Sequence, residues 1–241
     1  MKYSIVIPCY NEAENLKILL KSILPLCDKY DIEFVLVENG SKDESKSLFE
    51  KLPDMHNEHI VRVYVEQNRG YGYGLQQGMK VCTGDYVGWI HADLQIPIKG
   101  LVPFLNYLEK VNGKEKYFLK GIRKNRSIYD RFFTAEMGVY ESILFKTKLY
   151  DIGGIPVFFH RSLLDFVQDA PYDFLIELYM YYLAKVNGYI IRRIPTKMVN
   201  RKYGSSSWSK GLSSKIKMSL SVLKGSIIIA RQFSAEKKGK K

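Results

Sequence analysis

Residues 84–97 read GDYVGWIHADLQIP, and the change of character in the middle of this stretch decides the fold. The run 86–90 is short, apolar and aromatic, the composition of a strand buried on both faces. It ends abruptly in His91, Asp93 and Gln95, which alternate with apolar residues. Upstream the same plan occurs three times. Apolar runs at 4–7, 34–37 and 61–65 lead into polar segments at 8–12, 38–43 and 67–74, then into amphipathic stretches at 14–26, 44–52 and 74–82. Strand and helix alternating in this way predict an α/β domain with a mostly parallel central sheet and helices on both faces. Ligands in such sheets bind beyond the carboxyl ends of the strands, where the four polar segments converge.

Downstream the spacing predicts a helix over 102–111, a strand over 117–121, a polar stretch over 123–131, a strand near 156–160, a helix over 173–186 and a strand over 189–194. From Leu212 to Ala230 apolar residues recur at steps of three and four among Lys215, Lys217, Lys224 and Arg231. This pattern predicts a basic amphipathic helix over 209–233, followed by a disordered basic tail over 234–241.

With 241 residues, 46% hydrophobic and 26% charged, the chain has the composition of an ordinary globular protein. Collagen-like, disordered and disulfide-scaffold classes are excluded. The 37 Lys and Arg against 25 Asp and Glu make a formal charge of +12. The excess is concentrated, since residues 192–241 hold 14 basic side chains and one acidic side chain. A near-neutral body with a basic end points to a polyanionic partner, an anionic membrane surface or nucleic acid. No helix-turn-helix, RNP-like or zinc-finger pattern accompanies the charge, so nucleic acid is not expected.

Cys9, Cys27 and Cys82 have no metal-ligand spacing and are read as reduced thiols of a cytoplasmic protein. The apolar run at 4–8 is too short for a signal peptide. The run at 218–230 is interrupted by Lys224 and falls below the roughly 18 apolar residues of a spanning helix.

Each polar segment allows a bland reading beside a functional one. Asn11 is placed to cap a helix or to touch a ligand. Glu38, at a strand end before Asn39-Gly40, fits a ribose hydroxyl or base edge, or simple turn chemistry. The run Asn68-Arg69-Gly70-Tyr71-Gly72-Tyr73-Gly74 allows close backbone approach at a helix N-terminus suited to phosphate, although it is not a GxGxxG fingerprint. His91, Asp93 and Gln95 form an oxygen and nitrogen set suited to a divalent cation, or a solvated loop.

Taken together, SIVIPCYNEAENL at 4–16, VENGSKDES at 37–45 and the run from NRGYGYG at 68–74 to GDYVGWIHADLQIP resemble the nucleotide-sugar half of family 2 inverting glycosyltransferases, which have the GT-A fold. KGIR at 120–123, DFLIELYMYYLAKVNGY at 173–189, IIRRIP at 190–195 and RKYGSSSW at 201–208 resemble the subgroup typified by dolichyl-phosphate mannose synthase and bacterial polyprenyl-phosphate sugar transferases. The resemblance implies a GT-A domain over 1–208. In it Pro8, Tyr10, Glu12 and Glu38 line the nucleobase and ribose pocket, and Asn68, Gly72, His91 and Ala92 complete the nucleotide site. Asp93 binds a Mg or Mn ion bridging the diphosphate, with Gln95 and His91 as further ligands, while Arg123 and Arg201 neutralise phosphate charge. The family usually has Asp in place of His91 and commonly two acids in place of Glu38-Asn39. Imidazole then either enters the metal shell and shifts preference toward Mn, or bonds ribose and leaves the metal to Asp93.

The implied reaction moves a sugar from a nucleotide-diphosphate donor, UDP or GDP, to a polyprenyl phosphate. That acceptor is already ionised and needs no base. The alternative acceptor is a hydroxyl of a cell-surface glycan, with Asp173 or Glu177 as base. Their bland readings are an N-cap for Asp173 and a solvated or Arg-paired helix position for Glu177. A second alternative is a protein that binds nucleotide-sugar or nucleic acid without turnover. A lipid acceptor places the chain peripherally on the cytoplasmic membrane face, held by its basic helix or by a membrane-protein partner.

Overall fold

A computed structural model of the chain describes residues 1–51, 59–113, 115–124, 128–201, 203 and 212–239. Strands β1 (Tyr3–Cys9), β2 (Ile32–Asn39), β3 (Ile60–Val65), β4 (Tyr86–Trp89), β5 (Tyr117–Lys124), β6 (Val157–His160) and β7 (Ile190–Lys197) build one sheet in the order β3-β2-β1-β4-β6-β5-β7. β1 pairs in parallel with β2 and β4, β2 with β3, and β5 with β7, whereas β6 runs antiparallel to both β4 and β5. The other six strands therefore end on a common edge. Each expected apolar run is a strand, and β1 and β2 are buried almost from end to end, as a sheet covered on both faces requires.

The helices are α1 (Ala13–Cys27), α2 (Ser45–Glu50), α3 (Tyr71–Met79), α4 (Val102–Lys110), α5 (Ile128–Leu144), α6 (Ile176–Val186) and α7 (Leu212–Gly239). The crossovers through α1 and α2 step one way along the sheet, and the crossover through α3 steps back past β1. Right-handed connections then place α1 and α2 on one face and α3 on the other. Gly78 lets α3 sit directly on the sheet, since a Cβ there would lie 2.4 Å from Val6. The reversal of winding falls between β1 and β4 and leaves a crevice at their carboxyl ends. Further along, stacked rings join the layers: Phe104 on Phe158 at 5.5 Å, and Phe118 on Tyr181 at 5.9 Å. Each buried ring of this kind contributes about 1.5–3 kcal/mol through lost apolar exposure.

Three segments depart from the sequence expectation. The polar stretch 123–131 gives way to a helix at Ile128. The apolar residues of α5 have helical spacing but face outward, with Ile128 75%, Phe132 61%, Val139 60% and Ile143 74% exposed. Its buried side carries Glu141, which accepts a hydrogen bond from Ser226 Oγ of α7. Secondly, α7 runs on to Gly239, so 234–239 is helical rather than a disordered tail. Ala235, Glu236, Lys237 and Lys238 are good helix formers; residues 209–211, 240 and 241 lie outside the described residues. Thirdly, α6 starts at Ile176 rather than 173, because Asp173 Oδ1 accepts from Leu175 N at 2.9 Å and closes a turn ahead of the helix. Among the described residues no helix is long and apolar enough to cross a membrane.

Candidate active site

The crevice begins at the end of β1. Pro8 is half-buried there and Tyr10 is exposed. Asn11 takes a left-handed backbone, φ 56°, which asparagine tolerates well. Its Oδ1 accepts from Lys42 N at 2.8 Å and its N–H donates to Ser41 Oγ at 3.1 Å, so it ties the loop after β1 to the loop after β2 rather than capping α1. Glu12 Oε2 accepts from Asn15 Nδ2 at 2.6 Å. Burial raises the Glu12 carboxyl above its ordinary range, and the nearby Asp93 adds to the rise. Glu38 is buried and accepts from Ser41 N at 2.7 Å and Gly40 N at 3.2 Å. These two bonds fold the turn and leave carboxylate lone pairs over for a further donor.

The glycine segment is used differently from the expectation. Asn68 is a clamp: its Nδ2 donates to Asn39 O at 2.7 Å and its Oδ1 accepts from Gly70 N at 3.1 Å. A Cβ on Gly72 would stand 2.3 Å from Pro171 O, and one on Gly70 would stand 2.3 Å from Tyr172 O. Tyr73 N, in the first turn of α3, donates to Tyr172 O at 3.0 Å. The close approach that these glycines allow is therefore made by segment 171–173 of the chain itself. Gly72 is occupied in packing rather than open to a phosphate.

At the end of β4, Ala92 and Asp93 are buried, while His91 and Gln95 are partly exposed. Leu94 adopts φ 55°, a costly conformation for leucine, and turns the chain so that Gln95 N donates back to Asp93 Oδ1 at 3.0 Å. Arg201 Nη2 donates to Asp93 Oδ2 at 2.6 Å, while Arg201 Nε is buried without a partner among the described residues. His91 Nε2 lies 3.0 Å from the Tyr71 hydroxyl, and the two rings meet edge to face at 5.2 Å. Burial pulls the His91 pKa below its ordinary value.

A divalent ion would find one carboxylate here, Asp93, whose Oδ2 already accepts from Arg201 and whose Oδ1 accepts from Gln95 N. No group of three or more His, Cys, Asp or Glu residues able to hold a metal occurs among the described residues. A carboxylate, an amide and an imidazole would thus hold the ion only with oxygens supplied by a bound diphosphate.

Arg123, at the end of β5, is fixed by Asp151. Its Nε donates to Asp151 Oδ1 at 2.9 Å and its backbone N donates to Oδ2 at 3.1 Å. Burial alone would raise Asp151, but Arg123 outweighs it and holds the carboxyl below the usual range. Arg193 on β7 stacks over Tyr150 at 4.5 Å and Tyr181 at 5.2 Å, with Nε and Nη1 buried and unpartnered among the described residues.

Glu177 is neither solvated nor Arg-paired. It is 1% exposed and accepts from Lys120 Nζ at 2.6 Å, Trp89 Nε1 at 2.6 Å and Tyr71 OH at 3.2 Å. A carboxylate so enclosed has no path to an acceptor hydroxyl, which removes it as a base. Asp173 is exposed. Tyr71, Lys120 and Asp151 were not singled out from the sequence. Only the strand position of Lys120, an ionisable residue inside an apolar run, carried a signal.

The crevice has an acidic strand end and a basic far side, and the chain belongs to glycosyl transferase family 2, whose description matches residues 4–159. Curated relatives include undecaprenyl-phosphate 4-deoxy-4-formamido-L-arabinose transferases. That of Sodalis glossinidius is 38% identical over 98 residues, 40% of this chain and 30% of the relative. That of Proteus mirabilis is 34% identical over 98 residues, again 40% and 30%. The matched span is thus under a third of these relatives' length. In three dimensions the chain has the GT-A fold of glucosyl-3-phosphoglycerate synthase from Mycobacterium tuberculosis. The TM-score is 0.68 at 18% identity, covering 95% of this chain and 78% of that one, in a complex with Mn2+, uridine diphosphate and glucosyl-3-phosphoglycerate. A complex of the same enzyme with Mn2+, UDP-glucose and phosphoglyceric acid reaches a TM-score of 0.71 at 19% identity, covering 95% and 79%.

Proposed function

We propose that the chain transfers a glycosyl group, with inversion, from a nucleoside-diphosphate sugar to the phosphate of a polyprenyl lipid at the cytoplasmic membrane face. The observation that carries the acceptor is the outward apolar stripe of α5, Ile128, Phe132, Val139 and Ile143. It begins just after β5 has delivered Arg123 to the crevice edge. An apolar stripe beside cations, with exposed Lys224 and Arg231 on the neighbouring α7, suits an anionic lipid surface. The curated relatives act, by their names, on undecaprenyl phosphate, which agrees with this reading.

In this proposal the donor's base and ribose lie against Pro8, Tyr10, Glu12 and Glu38, with Asn68 holding the loop behind them. Asp93, with Gln95 and His91, would hold a divalent ion, which supplies Lewis-acid stabilisation to the departing diphosphate. Arg201 turns its unpartnered N–H toward phosphate oxygen, and Arg123, locked by Asp151, presents a fixed positive charge to the acceptor. A lipid phosphate arrives ionised and attacks the anomeric carbon without a base. The enclosure of Glu177 is in keeping with that requirement.

The test incubates purified protein and Mn2+ with UDP- and GDP-sugars, each with undecaprenyl phosphate in vesicles, 3-phosphoglycerate, or glycan acceptors. Sugar label in the organic phase is the expected result. Label only on glycan hydroxyls overturns the lipid acceptor and makes Asp173→Asn the next variant. Label only on phosphoglycerate retains the ionised acceptor and removes the membrane.

A further inference from the structure

A cavity of about 390 Å3 lies between the C-terminal ends of α5 and α6 and the side of α7, lined by Phe145, Lys146, Thr147, Tyr182, Lys185 and Ser234 among others. That is the size of a small-molecule site and more than a bare phosphate fills. Ring contacts of Phe145 with Tyr182 at 4.6 Å and of Tyr182 with Phe233 at 4.9 Å hold its inner wall in place. Lys185 stands eight residues along α6 from Glu177, roughly 12 Å at the rise of a helix, which separates the cavity from the crevice.

The lining carries positive charge without a counter-charge. Lys146 and Lys185 supply two cations, Thr147 and Ser234 two hydroxyls, and no carboxylate lines the cavity among the described residues. Lys185 Nζ donates to the neutral Thr147 Oγ1 at 3.2 Å. Burial, with Arg193 and Lys148 close by, pulls the Lys185 pKa below its ordinary value.

Cations are favoured at helix C-termini, yet these two are not needed to bond the last carbonyls. At the end of α5, Lys146 N donates to Ile143 O at 3.3 Å and Thr147 N to Ser142 O at 3.1 Å. At the end of α6, Gly188 N donates to Lys185 O at 3.3 Å and Tyr189 N to Ala184 O at 2.9 Å. Backbone closes both helices in the same way. The left-handed position of this closure is glycine in α6, Gly188 at φ 75°, but lysine in α5, Lys146 at φ 50°. A lysine thus stands where glycine is usual, and it lines the cavity.

We infer that this cavity binds the phosphate headgroup of an anionic phospholipid, as a site separate from the acceptor position. The choice of a lipid rests on the reading above that α5 meets a membrane. Ile143, 74% exposed, ends the outward stripe of α5 beside the cavity, and on α7 the exposed Ile227 and Arg231 share a helical face with the lining residues Ala230 and Ser234. A polar, cationic cavity bordered by apolar residues suits a lipid whose phosphate enters while its chains stay outside.

The test titrates the full chain, by calorimetry, with dihexanoyl phosphatidylglycerol below its micelle concentration, so that no bilayer is involved. One saturable site is expected. Lys146→Gln and Lys185→Gln should each weaken it about tenfold, the loss of one charged hydrogen bond, with thermal melts matching the parent, and Lys185→Arg should retain it. Lys224→Gln, on α7 outside the cavity, should leave it unchanged. Equal weakening in Lys224→Gln means diffuse surface charge and overturns the inference. Dihexanoyl phosphatidylcholine binding as well as phosphatidylglycerol, or inorganic phosphate binding as well as either, overturns it too. If the monomeric lipid titrates but the chain neither sediments with vesicles nor labels undecaprenyl phosphate, the cavity site stands and the membrane reading falls; the reverse pattern removes the cavity site alone.

Discussion

Two buried glutamates, one on strand β2 and one on helix α5, are treated in opposite ways. Glu33 on β2 is surrounded by donors: Ser4 Oγ at 2.5 Å, Thr83 N at 2.7 Å, Thr83 Oγ1 at 2.9 Å and Lys2 Nζ at 3.3 Å. Burial alone would raise its pKa, but these bonds outweigh burial and hold it below the ordinary range. Glu141, between α5 and α7, accepts from Ser226, and its Oε2 is buried without a partner among the described residues. Burial pushes it up to about 7. Glu33 thus has donors in place for its charge, whereas Glu141 leaves hydrogen-bonding capacity unused among the described residues.

The largest expected effect lies at the meeting of the two halves. Asp93→Asn should reduce transfer by about a hundred- to a thousand-fold with an unchanged circular dichroism spectrum; a loss below tenfold would mean that the crevice works without an anionic group there. Next comes the buried pair. Glu177→Ala strands Lys120 and should cost about 3–5 kcal/mol in urea unfolding, whereas Lys120→Met with Glu177→Leu should recover most of that loss. A double variant as unstable as the single one would show that Trp89 and Tyr71 need the carboxylate as much as Lys120 does.

The two glutamates also predict opposite pH responses. The folded state keeps a proton on Glu141 up to about 7, while an unfolded carboxyl loses it near 4.3. Stability therefore falls as pH rises through that window. Glu141→Gln should raise Tm by a few degrees at pH 8 and leave it unchanged near pH 4. Glu33, with its lowered pKa, contributes stability above the unfolded carboxyl range and loses it as pH falls, so Glu33→Gln should cost stability at pH 8 and little in strong acid. Equal responses of both variants to pH would erase the contrast. The smallest effect on stability is expected from Val139→Asp with Ile143→Asp, within about 0.5 kcal/mol per site. The same variant should lose sedimentation with anionic vesicles, and retained binding would move the membrane contact away from α5.

The seven strands were legible because strands covered on both faces are almost uninterrupted apolar runs, as in 34–37 and 86–90. α5 escaped because its apolar stripe faces outward and its inward side carries Glu141, the reverse of the pattern that announces a helix. Asp93, Arg123 and Arg201 were read from order along the chain; in the structure Arg201 is ion-paired to Asp93, and Arg123 stands at the end of β5. What fixes them was not legible. Asp151 lies in a loop far from Arg123 in sequence, and Tyr71 looked like one more aromatic in a glycine run. Gly72 shows the converse: its spacing suggested a phosphate, but its missing Cβ makes room for Pro171.

The reversed strand has a consequence for the order of assembly. β6 lies between β4 and β5 in the sheet, yet it follows β5 in the chain. The β5–β7 pair therefore cannot join the rest of the sheet until residues 157–160 have been made and inserted. During synthesis the nucleotide half can close while the ribosome is still completing the strands that carry Arg123 and lead to Arg201. These late, non-local pairings are the kind that slow a fold, and the waiting intermediate presents β4 as an open edge.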